Sequence, residues 1–273
     1  MNNTNNEAPN KGMFSYEDSP NSLGEKPEQP MPFFKRLVSI FFAPLSLMKN
    51  IAMFPHYFSP IMYMILLAVP TALLSGAYTA LTTKATANFM FEKYNIVMPD
   101  TAMLMSDSTV QIVSLVIQIV TVPLGIIALG AGGALTLFLL CKIFRGQAKY
   151  TQLFSMFLHV GVINMLGTIL VYTLSGVTQN IWDYTSLAPL LLDRIDLTSP
   201  AYYVLSSMSL FSLWAAAVQC GGVKVFNMFG WVRAVIVTVI FFALGLMVSL
   251  STGLVMELYM GFTGDALSGA LLR

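Results

Sequence analysis

The stretch Ser108–Cys141, "STVQIVSLVIQIVTVPLGIIALGAGGALTLFLLC", runs 34 residues without an Asp, Glu, Lys or Arg. A helix needs only about 20 apolar residues to cross a hydrocarbon core of ~30 Å. A membrane strand would need about 10 and would alternate apolar with polar, which this stretch does not. It therefore reads as a transmembrane helix. At ~1.5 Å per residue it would reach about 51 Å. It is thus expected to protrude, to tilt, or to break at Pro123-Leu124-Gly125.

Four further charge-free windows follow the same logic: Asn50–Thr83, Tyr150–Trp182, Leu197–Val223 and Ala234–Met256. The expected fold class is all-α: a polytopic membrane protein of five transmembrane helices at about 58–82, 110–140, 152–178, 200–222 and 233–256. Pro70 is expected to kink the first. Composition agrees. The 273 residues are 56% hydrophobic and 10% charged, against about 25% charged in soluble domains, and the mean hydropathy is +0.72. The net charge of +1 offers nothing to nucleic acid. Two cysteines, Cys141 and Cys220, make no disulfide framework. Residues 1–30 contain no apolar run of the kind a secretory signal needs.

Three regions result. Residues 1–32, rich in Asn, Pro, Glu, Ser and Gly, are expected to form a disordered cytoplasmic tail. Residues 33–54, "FFKRLVSIFFAPLSLMKNIAMF", place Lys35, Arg36, Ser39, Ser46, Lys49 and Asn50 on one helical arc. Phe34, Leu37, Ile40, Phe41, Leu45 and Met48 lie opposite, with Phe42 and Met53 intruding on the polar arc. A basic face against an aromatic face is the pattern of an amphipathic helix lying in the membrane interface, and Pro44 should kink or split it. Residues 55–273 form the membrane domain.

Cations set the expected orientation. Ten Lys and Arg precede the first helix or lie in the second-to-third and fourth-to-fifth loops, against four on the other side. The loop acids, among them Glu92, Asp107, Asp183 and Asp193, fall on that second side. The N-terminus is therefore expected in the cytoplasm and the C-terminus outside. The outer loops 84–107 and 183–198 carry apolar runs that suit short surface helices. The basic loop "CKIFRGQAKYTQLF", Cys141–Phe154, holds Lys142, Arg145 and Lys149 and no acid. Its cations orient the flanking helices, and each adds about 1 kcal/mol of attraction to anionic lipid.

Small residues recur at helical spacing: Ala68, Ala72, Gly76 and Ala80; Ser212, Ala216 and Cys220; Gly245, Ser249 and Gly253; and Gly130–Ala134. They suit close packing within the bundle or between copies. Ionisable groups, the usual mark of function inside a membrane, are nearly absent. His159 is the one candidate and reads as an interhelical hydrogen-bonding residue, with Asn164 on a different face. Gln111, Gln118 and Gln219 read the same way. The two histidines are 103 positions apart, which excludes a metalloprotease pair at i and i+4. "GFTGD", Gly261–Asp265, is misspaced for an aspartyl protease, and no G-x-S-x-G elbow exists. No catalytic, cofactor-binding or metal-binding residue emerges.

Three features together resemble the Yip1 domain family in its bacterial form, over roughly residues 33–256. They are the basic aromatic segment with Pro44, the Gly-rich second helix running into "FLLCKIFRGQAKYTQLFSMF", and "LSSMSLFSLWAAAVQCGGVKVF" with Trp214 before a glycine pair. The resemblance implies a five-helix membrane domain with a cytoplasmic N-terminus in a bacterial plasma membrane, and a tight hairpin built on Gly146, Tyr150 and Phe154. The chain lacks the Asp-Leu-Tyr-Gly-Pro type of motif that eukaryotic members carry, so their GTPase association is not carried over. The expected function is non-enzymatic: binding other membrane proteins, copies of itself included, or organising the bilayer. The alternative is an accessory subunit or small permease of an export system, with Gln118, His159 and Asn164 converging on one cavity.

Overall fold

Pro44 divides the first segment, because it has no N–H and disfavours helical backbone in the residue before it. Ala43 sits at φ −145° between α1 (Phe33–Phe42) and α2 (Pro44–Met53). The computed structural model describes residues 29–94, 108–181, 183–191 and 199–271. The expected disordered tail lies outside the described residues except for 29–32. Among the described residues there is no β-strand, only an isolated bridge between Ser186 and Ser209.

The remaining helices are α3 (Phe58–Tyr94), α4 (Ser108–Ile143), α5 (Tyr150–Thr178), α6 (Pro200–Ser207), α7 (Leu210–Asn227) and α8 (Trp231–Leu271). Among the described residues, four stretches are long and apolar enough to cross a membrane: Phe58–Ala85, Ile112–Ile143, Tyr150–Thr178 and Trp231–Val255. They coincide with four of the five expected spans. The stretch expected to be a continuous helix at 200–222 is instead two helices, α6 and α7, parted at Met208-Ser209.

Helix α4 continues through Pro123-Leu124-Gly125, which leaves protrusion or tilt rather than a break there, and α3 is helical through Pro70. Inside α3, Thr71 turns its hydroxyl back to the Leu67 carbonyl at 2.7 Å, so local polarity is absorbed without a break. The outer loop expected from residue 84 begins later, because α3 stays helical to Tyr94. Residues 192–198 of the other outer loop lie outside the description. Its described part closes in a 3-10 turn, Ala188–Leu191.

Helix α5 is the centre of the bundle. Over half of its most apolar window, 56%, is buried, and it packs on α3, α4 and α7, with α2 across its Tyr150 end. Leu47, Met48, Met64, Leu137, Met156 and Ile163 fill the shared core. Glycines let the helices approach as expected: a Cβ at Gly253 would lie 2.7 Å from the Pro200 backbone, and one at Gly161 2.7 Å from Ile126.

The buried face of residues 33–54 does not follow the expected arc, because it takes residues from both sides of it. Arg36, Ser39 and Asn50 are buried with Ile40, Leu47 and Ile51, whereas Phe34 is 77% and Phe42 85% exposed. Asn50 is buried because it holds backbone: its Oδ1 accepts from Met31 N at 3.2 Å and its Nδ2 donates to the Gln29 carbonyl at 3.1 Å.

Candidate functional site

The break between α6 and α7 is built from serines. Ser207 donates to the Tyr203 carbonyl at 2.7 Å. Ser209 caps α7: its Oγ accepts from Ser212 N at 3.1 Å, while Ser212 Oγ accepts from Ser209 N at 2.9 Å. Such a reciprocal cap satisfies donors that a helix start leaves free. The neighbouring N–H groups are satisfied too, Met208 by the Leu205 carbonyl at 3.1 Å and Leu210 by Thr185 at 2.8 Å. Irregular backbone packed inside an apolar bundle requires internal satisfaction of this kind.

Beside the break lies a cavity of about 250 Å³, walled by α5, α6, α7 and α8. Its polar lining comprises Asn164, Ser207, Ser212, Gln219 and Ser249, and Phe241 and Phe242 supply much of the apolar wall. The hydroxyls of Ser207 and Ser249 hydrogen-bond at 2.7 Å across the α6–α8 contact. Gln219 is only 8% exposed. Among the described residues its amide and that of Asn164 have no hydrogen-bond partner. Asn164 is exposed and Gln219 mostly buried, and both line the cavity. The lining contains no charged side chain.

The other residues singled out from the sequence do not join this cavity. Gln118 accepts from the Ser75 hydroxyl and donates to Ser114 at 3.1 Å, so it ties α4 to α3. His159 is wholly buried. Its Nδ1 lies 2.7 Å from the Ser155 carbonyl, and its Nε2 has no partner. Donation from Nδ1 to that carbonyl makes Nε2 the unprotonated nitrogen. The side chain of Gln111 lies outside the described ones. Ser207, which completes the site, was not singled out from the sequence. Its signal is the serine run 206–209 inside an otherwise apolar window.

A second polar cluster sits where α1, α3 and α5 meet. Ser155 Oγ donates to the His56 carbonyl at 2.6 Å and accepts from His56 N at 3.2 Å, so it pins the α2–α3 corner to α5. Arg36 donates from Nη1 to Ser59 Oγ at 3.2 Å, and its Nε has no partner. Burial lowers the Arg36 pKa from its ordinary value, but a guanidinium remains charged. Burial, and then the Arg36 charge, push the His56 imidazole below its ordinary value.

The basic loop forms a tight turn. Gly146 N donates to the Cys141 carbonyl at 2.7 Å, and Arg145 takes a left-handed φ of 59°. The Tyr150 and Phe154 rings stack at 6.0 Å. Asn227, at the end of α7, locks the turn: its Oδ1 accepts from Ala148 N at 2.9 Å, and its Nδ2 donates to Cys141 Sγ at 3.3 Å and to the Val223 carbonyl at 2.9 Å. Of the three cations, Lys142 covers the Phe138 ring at 5.3 Å. Lys224 is buried against the Trp231 ring at 4.3 Å. Trp214 and Cys220 line the groove between α2 and α7.

No family model matches the chain, and no curated protein or solved structure matches it.

Proposed function

We propose that this chain is a non-enzymatic integral membrane protein of the Yip1 type, which acts by binding other membrane proteins and organising the inner face of a bacterial plasma membrane. In this reading the N-terminus is cytoplasmic, the C-terminus is outside, and α6–α7 is a fifth, broken crossing. The carrying observation is the outward apolar stripe of α1, Phe34, Val38 and Phe42, opposite an inward face of Arg36, Ser39 and Ile40. Such a stripe suits the acyl boundary of an interfacial helix. The large bare faces of α4 and α8 support the same reading: 6% and 17% of their most apolar windows are buried, which leaves them for lipid, for partner helices or for a second copy.

A second reading, a small permease or the accessory subunit of one, is favoured by one observation: the uncharged polar cavity beside a broken helix. Transporters place solute sites at such breaks. Protein reconstituted in liposomes separates the two. The first reading expects swelling in small neutral solutes no faster than in empty vesicles. Solute entry that Gln219→Leu abolishes would replace it with the second.

A further inference from the structure

Among the described residues, the cation at Arg36 has no anion. The residue is 8% exposed, and the hydrogen bond it makes among them goes to a neutral hydroxyl, Ser59 Oγ. Its Nε is buried without a partner, and no acid pairs with it among the described residues. Removing a charge from water without compensation is costly, and buried cations are normally matched by an anion.

The surroundings supply more of an anion site. Ser59 stands in the first turn of α3, a helix of 37 residues. In that turn Pro60 has no N–H and Ile61 N donates to the Tyr57 carbonyl at 3.3 Å, so the Phe58 and Ser59 N–H groups are the ones left for an anion, and the macrodipole adds partial positive charge there. The Tyr63 hydroxyl, one turn further along α3, donates to the Phe33 carbonyl, and the two rings meet at 4.5 Å. This latch holds α1 across the start of α3 and sets the guanidinium beside that helix end. The same short helix turns Phe34, Val38 and Phe42 outward, so an acyl chain can lie along α1 while a headgroup reaches Arg36.

We propose that Arg36, with the first turn of α3, binds a phosphate oxygen, and that in the membrane this phosphate belongs to a phospholipid headgroup. A guanidinium fork suits phosphate, because its parallel N–H donors match the oxygens. The proposal rests on the reading of α1 as an interfacial helix, but not on the protein's partners or on which side is cytoplasmic.

The test uses the full chain in detergent, titrated with phosphatidylglycerol, with diacylglycerol and with inorganic phosphate, and followed by native mass spectrometry and thermal shift. Wild type should retain phosphatidylglycerol and gain thermal stability from it, while diacylglycerol does neither. Arg36→Gln should weaken retention by roughly tenfold, the scale of one lost charge-assisted contact. Lys35→Gln, a neighbouring exposed cation, should leave retention unchanged. Arg36→Lys keeps the charge but loses the fork, and should fall between them; it also carries the test if Arg36→Gln does not fold. Inorganic phosphate that binds alone, displaces the lipid and loses affinity in Arg36→Gln would sustain the anion site and remove the lipid as its occupant. Equal phosphatidylglycerol retention by wild type, Arg36→Gln and Arg36→Lys would overturn the proposal.

Discussion

The Asn227 side chain occupies the space that a Cβ on residue 146 would need: such a Cβ would lie 2.2 Å from Asn227 Oδ1 and 2.8 Å from the Cys141 carbonyl. The loop between α4 and α5 and the end of α7 are therefore one unit, and glycine is required at position 146 by approach rather than by backbone angle. Gly146→Ala should cost about 1–3 kcal/mol as an overpacking change. Asn227→Ala should cost about 1–3 kcal/mol, because it leaves the buried Ala148 N–H unpaired. Combined, the two should cost less than their sum, since removing the amide relieves the clash. Thermal unfolding in detergent reads all three, and strict additivity would contradict the contact.

The outward stripe on α1 predicts contact with lipid. Phe42→Trp at this exposed position should leave stability nearly unchanged. Its fluorescence should be quenched by brominated acyl chains and shielded from iodide. Strong iodide quenching would place α1 in water and remove the interfacial reading.

Orientation can be read with introduced thiols. The native Cys141 is 1% exposed and tied to Asn227, so its silence toward a reagent would say nothing about sidedness. In a background with Cys141→Ser and Cys220→Ser, Lys149→Cys should resist an impermeant maleimide on intact cells and react in inverted vesicles. Tyr184→Cys, 46% exposed in the opposite loop, should do the reverse. The opposite pattern would invert the topology.

His56 predicts a dependence on pH. Its imidazole is held below its ordinary value of 6.5 by burial and by Arg36. As pH falls through that ordinary value, the unfolded chain takes up a proton that the folded one resists, so stability falls with it. His56→Gln should flatten the decline of melting temperature below about pH 6.5, where free histidine begins to charge. An unchanged slope would show that His56 does not contribute.

The helical membrane character was legible because charge-free windows are one-dimensional signals. Pro44 was legible for the same reason, as its effect is local. The break at Met208-Ser209 was not, because serines carry no charge and the apolar window continues across them. Only the Ser209–Ser212 cap ends one helix and starts another. The inward face of residues 33–54 was not legible, because it draws Arg36, Ser39 and Asn50 from one arc and Ile40 and Met48 from the other, and depends on Ser59, Tyr63 and Asn50 finding partners across the fold. Convergence was the least legible feature. Asn164 and Gln219 share a cavity although 55 positions apart, while Gln118 and His159 satisfy other contacts.

Photo-crosslinking in native membranes tests the central claim most directly. A crosslinking residue at Val116 or Val120 of α4, both more than half exposed, or at Phe42 of α1, should yield discrete protein adducts whose masses identify a membrane partner or a second copy. Adducts with lipid alone at all three positions would contradict a function in binding membrane proteins.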